Sequence, residues 1–131
     1  ISGNCKLEHT LSINNSQDLL NNTPLRHSPP LFGKFLISYN SNKYNLGYYL
    51  SYNGKKSIEN FSDSELNKLY LYTKFGSPAW MTHNLFFNFN YNHFMNLDFG
   101  FENIFDVHYR TYSSGISAPG RNVRLGIKLK F

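Results

Sequence analysis

The sequence predicts an all-β fold: an antiparallel sheet of about six meandering strands, as in a segment of a transmembrane β-barrel, with short turns at one end and long loops at the other. Three observations carry this expectation. Apolar and polar residues alternate with period two in six separate runs of the 131-residue chain. Each run is about 9–11 residues, against ~5–6 for an ordinary soluble strand, which matches a tilted strand that crosses a bilayer. The connections between runs alternate between short and long, as they do in barrels with short periplasmic turns and long extracellular loops.

The first run, 6–14, sets Leu7, His9, Leu11 and Ile13 against Lys6, Glu8, Thr10 and Ser12. The second, 31–39, carries Leu31, Phe35, Ile37 and Tyr39 on one face, with Phe32 and Leu36 blurring the other. In the third, 43–53, the apolar set moves to Tyr44, Leu46, Tyr48, Leu50 and Tyr52. The fourth opposes Leu85, Phe87, Phe89 and Tyr91 to four asparagines, and the fifth opposes Met95, Leu97, Phe99 and Phe101 to Asn96, Asp98, Gly100 and Glu102. The sixth is the cleanest, with Val123, Leu125, Ile127, Leu129 and Phe131 against Arg124, Gly126, Lys128 and Lys130. Asn40-Ser41-Asn42 and Asn92-His93-Phe94 suit tight hairpins, whereas 15–30, 54–82 and 104–122 are long. Within the middle loop, 62–71 reads either as a short capped helical turn or as another hairpin arm.

Composition agrees with strands. Aromatic residues make up 18% of the chain, and Ala79 and Ala118 are its only alanines. Mean hydropathy is −0.45, and no apolar run approaches the ~18 residues of a membrane-spanning helix. That excludes a helical membrane protein but not a barrel, whose strands are only half apolar. Tyr39, Tyr44, Tyr91, Phe94 and Phe131 all fall at the short-turn end, where a barrel places an aromatic girdle.

Thirteen Lys and Arg against eight Asp and Glu give a net charge of +5. The basic residues are scattered rather than clustered along a phosphate-tracking path, so nucleic acid is not an expected partner. Cys5 is the single cysteine, which allows no internal disulfide, and no zinc spacing occurs. The five histidines have no metal spacing, and Ser, His and Asp are unordered. No enzyme, cofactor or metal site is therefore expected. The opening Ile1-Ser2-Gly3-Asn4 reads as the middle of a longer polypeptide.

From Asn84 onward the sequence resembles the C-terminal end of TonB-dependent outer-membrane receptors. The carrying residues are Asn84-Leu85, Gly100-Phe101-Glu102-Asn103-Ile104-Phe105-Asp106, Tyr109, Ser114 through Asn122 with Pro119-Gly120-Arg121, and Phe131. Upstream, the segment Pro24-Leu25-Arg26-His27-Ser28-Pro29-Pro30 and the segment Gly76-Ser77-Pro78-Ala79-Trp80 also fit. The stretch 124–131 resembles a barrel-assembly signal, with Arg124, Gly126, Leu129 and Phe131 at its positions. An edge strand of this kind pairs with the assembly machinery by strand addition, and Gly126 is expected to leave room for close approach.

The resemblance implies that residues 1–131 are the C-terminal portion of a β-barrel domain of about 22 strands. The plug domain and the energy-coupling box would lie outside them. It implies a Gram-negative outer-membrane transporter for energy-coupled uptake of a scarce nutrient. A ferric siderophore comes first as cargo, then haem, then cobalamin. The implied partners are the remaining strands and plug, on the same longer protein or on another chain, the inner-membrane TonB complex, the assembly machinery, outer-membrane lipid and an iron chelate or similar ligand. Ligand contacts are expected in the external loops at Arg26, His27, Trp80, His83, Tyr109, Arg110 and Tyr112, where cations and aromatic rings suit an anionic chelate. Met81 and His108 fall in the same loop regions. Arg121 is expected to brace the last loop and Asp106 to cap the turn after Phe105. Asp98, Glu102, Arg124 and Lys128 are expected to form a charge network along the wall. Two other readings of the same residues are a small soluble β-barrel that binds an apolar ligand and a truncated, non-functional barrel remnant.

Overall fold

The computed structural model describes residues 3–131, so Ile1 and Ser2, where the reading of an internal start begins, lie outside the described residues. The described residues form ten strands: β1 (Gly3–Ser12), β2 (Gln17–Asp18), β3 (Thr23–Pro24), β4 (Phe32–Ser41), β5 (Tyr44–Asn53), β6 (Lys56–Ser57), β7 (Gly76–Ser77), β8 (Trp80–Asn90), β9 (Met95–Glu102) and β10 (Asn122–Leu129). The six long ones form one antiparallel sheet in the order β1-β4-β5-β8-β9-β10, a meander in which each long strand pairs with the next. β2 pairs with β3 and β6 with β7 as two-residue ladders inside the first and second long connections. Among the described residues the sheet does not close, and β1 and β10 are its edges.

All six expected runs are strands, the fifth with the ends expected and the others with shifted ends. β1 starts three residues earlier than the run at 6–14 and stops at Ser12. β10 ends at Leu129, although the Lys130 N–H still bonds the Phe94 carbonyl at 2.9 Å. The largest shift is in β8, which begins at Trp80 rather than near Asn84. Polar His83 interrupts the apolar stripe there, but the main chains of Thr82 and His83 continue the ladder to Ser51 and Leu50. The tight connections are 42–43 and 91–94, and the long ones are 13–31, 54–79 and 103–121.

Register aligns the alternating patterns across the sheet. The row Leu7-Ile37-Tyr48-Leu85-Phe101-Val123 runs through all six strands on one face. The other face is polar: Asn4, Asn40, Asn45, Asn88 and Asp98 stand in one row across five strands and end at Gly126. A one-residue slip at any strand would put its asparagines among leucines and phenylalanines, so the patterns specify the register. Burial is inverted relative to a soluble sheet. On the inner strand β8, Leu85 and Phe87 of the apolar face are 43% and 41% exposed, while Thr82 and Asn84 of the polar face are 3% and 4% exposed.

Bulk on the polar face is adjusted locally by ring-over-glycine packing. Phe86 lies between its register partners Gly47 and Gly100, and a Cβ on Gly47 would come within 2.7 Å of the Phe86 ring. At the tight-turn end three of the five expected aromatic residues, Tyr39, Tyr44 and Tyr91, join a run of rings through Phe87 and Phe89, whereas Phe94 packs on His93 and Phe131 is exposed. Tyr39 and Tyr44 are 6.0 Å apart by ring centroid, Tyr44 and Phe87 6.4 Å, Phe87 and Phe89 6.3 Å, and Phe89 and Tyr91 6.4 Å.

The long connections hold most of the remaining structure. In the second, residues 62–71 take the helical alternative: α1 (Asp63–Leu66) is a single turn, followed by a 3-10 turn at Leu69–Leu71. Ser62 and Glu65 form a reciprocal capping box at its start. Phe61, just before α1, is the one buried large apolar residue among the described residues, at 3% exposed. No described helix is long and apolar enough to cross a membrane, which leaves strands unaddressed.

Candidate functional site

The polar face meets the long connections in a cleft of about 230 Å³ at the loop end of β5, β8 and β9. Strand β8 brings Trp80, Thr82 and Asn84 to it, β9 brings Glu102, and the last long connection brings Asn103 and Tyr109. Trp80 and Tyr109 pack with ring centroids 4.3 Å apart, and the Trp80 indole N–H has no partner among the described residues. Burial pushes the Tyr109 phenol up from its ordinary range, with the Glu102 carboxylate adding to the effect.

Asn103 and Asn84 hold this wall in place. Asn84 Nδ2 donates to the Tyr49 and Thr82 carbonyls at 3.2 Å each, and its Oδ1 accepts the Asn103 N–H at 2.9 Å. Asn103, at φ 49°, then brackets its own loop. Its Oδ1 accepts the Val107 N–H at 2.9 Å, and its Nδ2 donates to the carbonyls of Val107 at 2.8 Å and Pro119 at 3.3 Å. Asn is among the few non-glycine residues that tolerate this left-handed backbone.

Asp106, at φ 55°, closes the second half of the bracket. Its Oδ1 accepts the Arg121 N–H at 2.7 Å, and a Cβ on Gly120 would stand 2.6 Å from that same oxygen. The Asn-Ile-Phe-Asp and Pro-Gly-Arg segments thus form one clamp. Arg121 braces the last loop through its main-chain N–H.

The other expected ligand residues are distributed. Arg26 sits in an exposed turn of the first long connection. Arg110 donates from Nη1 to the Leu71 carbonyl at 2.8 Å and ties the second and third long connections. Tyr112 packs against Phe61 and Tyr72 at 5.9 and 6.1 Å. Burial pushes its phenol strongly up, with the Glu65 and Tyr72 charges adding. Lys56 lies over the Tyr112 ring at 4.6 Å and donates to the Ser28 carbonyl. Burial pushes its ammonium down, against the field of Glu65.

His83 is on the opposite, apolar face, where its Nδ1 is 2.6 Å from the Tyr48 hydroxyl and Phe105 meets its ring edge-on at 4.9 Å. His9 repeats the arrangement on β1, with Nε2 2.6 Å from the Tyr52 hydroxyl. His108 contacts the Ser117 hydroxyl at 3.1 Å. Of the expected set, the structure joins Trp80 and Tyr109 with Glu102 and Asn103, and places Arg26, His27, His83, Arg110 and Tyr112 elsewhere. Along the wall, Arg124 Nε lies 3.5 Å from Glu102 Oε1. A Cβ on Gly126 would meet Asp98 at 3.4 Å, an ordinary contact, so no close approach occurs there within this chain.

The residue that sequence reasoning missed is Glu65. It is 3% exposed and contacts His27 and Ser113, which lie in the other two long connections. The spacing Ser62-x-x-Glu65 signals a cap, but no local pattern signals those distant partners.

An antiparallel meander with an exposed apolar face, a polar opposite face and alternating loop lengths matches the pattern of a β-barrel wall. Neither a protein-family model nor a curated protein sequence matches the chain. Among solved structures the chain is similar in fold to Copper transporter OprC, with a TM-score of 0.80 and 18% identity over 100% of this chain. The match spans 22% of that protein's chain, so these residues correspond in fold to under a quarter of it.

Proposed function

We propose that residues 1–131 form part of the barrel wall of a TonB-dependent transporter in a Gram-negative outer membrane. The observation that carries this reading is a continuous, exposed apolar face across six strands with a polar face opposite, whose buried residues Ser38, Asn53, Thr82 and Asn84 lie on the inner strands. In water such an apolar face is unstable, whereas against lipid chains it is the expected surface. The dimensions come within about 5 Å of the ~25 Å apolar band of such a wall. On β5, Tyr44 marks the tight-turn boundary and Tyr52, bonded to His9, the loop boundary. Their separation is roughly 26 Å along the strand and about 20 Å across the bilayer at a tilt of ~40°.

Strands missing on both sides would pair with β1 and β10, because an edge of unpaired backbone facing lipid costs several kcal/mol per group. A plug would fill the polar side and couple to the TonB complex. The motif Glu102, Asn103, Phe105, Asp106, Tyr109, Pro119, Gly120, Arg121 supports the family reading. In the structure most of it is one clamp at the mouth of the wall. Arg124, Gly126, Leu129 and Phe131 are proposed as the assembly signal. The proposed cargo is a ferric siderophore, captured by the long loops through rings such as Trp80 and Tyr109, with haem and cobalamin next. What is carried over from the OprC likeness is fold, not copper.

Single cysteines at Arg124 and Leu125, in the full-length protein with Cys5 replaced, test the wall. A fluorophore at 125 should be quenched by a lipid-borne quencher and one at 124 by an aqueous quencher. Equal aqueous quenching at both positions overturns the reading. Loss of growth on a ferric siderophore as sole iron source, on deletion of the protein, tests the cargo.

A further inference from the structure

Glu65 is a buried carboxylate with partners from three loops. Its Oε1 accepts the His27 N–H at 3.1 Å and the Ser113 hydroxyl at 3.2 Å. Its Oε2 accepts the Ser62 N–H at 3.2 Å and the Ser62 hydroxyl. His27 belongs to 13–31, Ser62 and Glu65 to 54–79, and Ser113 to 103–121. The two distant donors share a second property. His27 at φ 59° and Ser113 at φ 62° are both in the left-handed region that side chains other than glycine disfavour. Such conformations persist where surrounding contacts hold them, and the contact common to both is this carboxylate.

We propose that Glu65 is the positioning residue of a latch that makes the three long loops one rigid rim, so that they open and close together. Its part in cargo capture rests on the transporter reading; the latch itself does not. A charge buried this deeply is tolerated because hydrogen-bond donors replace its water. Burial alone would raise the carboxyl, but the bonds from Ser62, His27 and Ser113 outweigh it and hold the group below its ordinary range.

The titratable groups facing it are the His27 ring, with Nδ1 at 3.8 Å, Lys56, Tyr72 and Tyr112. A carboxyl lowered by folding stabilises the rim above its unfolded value and loses that stabilisation as pH falls through the lowered one. The latch therefore stays shut down to pH values below the usual ~4.3 of a glutamate and opens in stronger acid.

Hydrogen exchange on the full-length protein folded in detergent tests this. In Glu65→Ala, segments 25–29, 62–66 and 111–115 should all exchange roughly tenfold faster or more, while the long strands keep their protection. Glu65→Gln, which retains one acceptor oxygen, should fall between and lose the acid-opening step seen in the wild type. Acceleration confined to 62–66, or an acid step that survives in Glu65→Gln, overturns the latch. If these variants do not fold, Ser113→Ala serves instead. Removing that one donor should speed exchange at 25–29 as well as at 111–115, and an effect limited to its own loop refutes the proposal. Cargo uptake measured on the same variants separates the two readings. Coupled loop opening with unchanged uptake keeps the latch and removes its role in capture.

Discussion

In the sheet, Asn84 is 4% exposed and its neighbour Leu85 is 43% exposed; in the loop rim, Phe61 is 3% exposed and Tyr112 packs onto it. One chain thus follows two opposite burial rules within a few tens of residues. The rim behaves as a small soluble cap, with a ring cluster, a helical turn and a satisfied carboxylate. The wall has no apolar interior, and its order comes from the backbone ladder and side-chain register. The contrast teaches that a strand's stability here depends on which solvent meets each face, and a rim residue's on its contacts.

The sharpest way to break this contrast is to put a charge on the outer face. Leu85 lies in a row flanked on both sides by paired strands. Leu85→Arg should cost about 2–4 kcal/mol if the face meets the middle of a bilayer. Asn88→Arg, on the same strand but the polar face, should stay within about 1 kcal/mol. Urea unfolding of the full-length protein refolded into lipid vesicles measures both. Equal effects would mean that the two faces meet the same solvent.

The strand pattern was legible because a period of two survives in a single sequence, and a sheet needs nothing more to fix which face is which. Leu7, Ile37, Tyr48, Leu85, Phe101 and Val123 are separately readable as apolar, and the meander aligns them without a crossover. The rim was less legible because its bonds join residues far apart. His27 to Glu65 spans 38 positions and Glu65 to Ser113 spans 48. The clamp motif was visible as a resemblance, but which atom of Arg121 takes part depends on the loop's path. His83 lies in the alternating run's frame, yet its polarity drew it to the loops. The structure satisfies that polarity on the apolar face through the Tyr48 hydroxyl.

The rim gives the next largest effect, through the opposite mechanism. Asn103→Ala removes three side-chain bonds and leaves a left-handed alanine. The expected loss is about 2–3 kcal/mol, confined to 103–121. Asn103→Gly relieves the backbone and should recover about 1 kcal/mol of it. Hydrogen exchange at Val107 reads both. An unchanged rate in Asn103→Ala would mean that the clamp stands without its central amide.

The smallest effect separates two glycines on the polar face of the wall. Gly47→Ala drives a methyl to 2.5 Å from the Ile37 carbonyl oxygen and 2.7 Å from the Phe86 ring, so the strand as well as the ring must move. The cost should be about 1–3 kcal/mol, as for other overpacked sites. Gly126→Ala meets only Asp98, at 3.4 Å, and its strand is an edge among the described residues. Its effect on unfolding should be within about 0.5 kcal/mol. If Gly126 matters for pairing with the assembly machinery, its substitution should instead lower the amount of folded protein reaching the membrane, with the stability of what arrives unchanged. Quantifying folded protein in the outer membrane beside its unfolding midpoint distinguishes the two. A matched loss of both would place a tight contact at Gly126 in the assembled wall, one that the six strands alone do not contain.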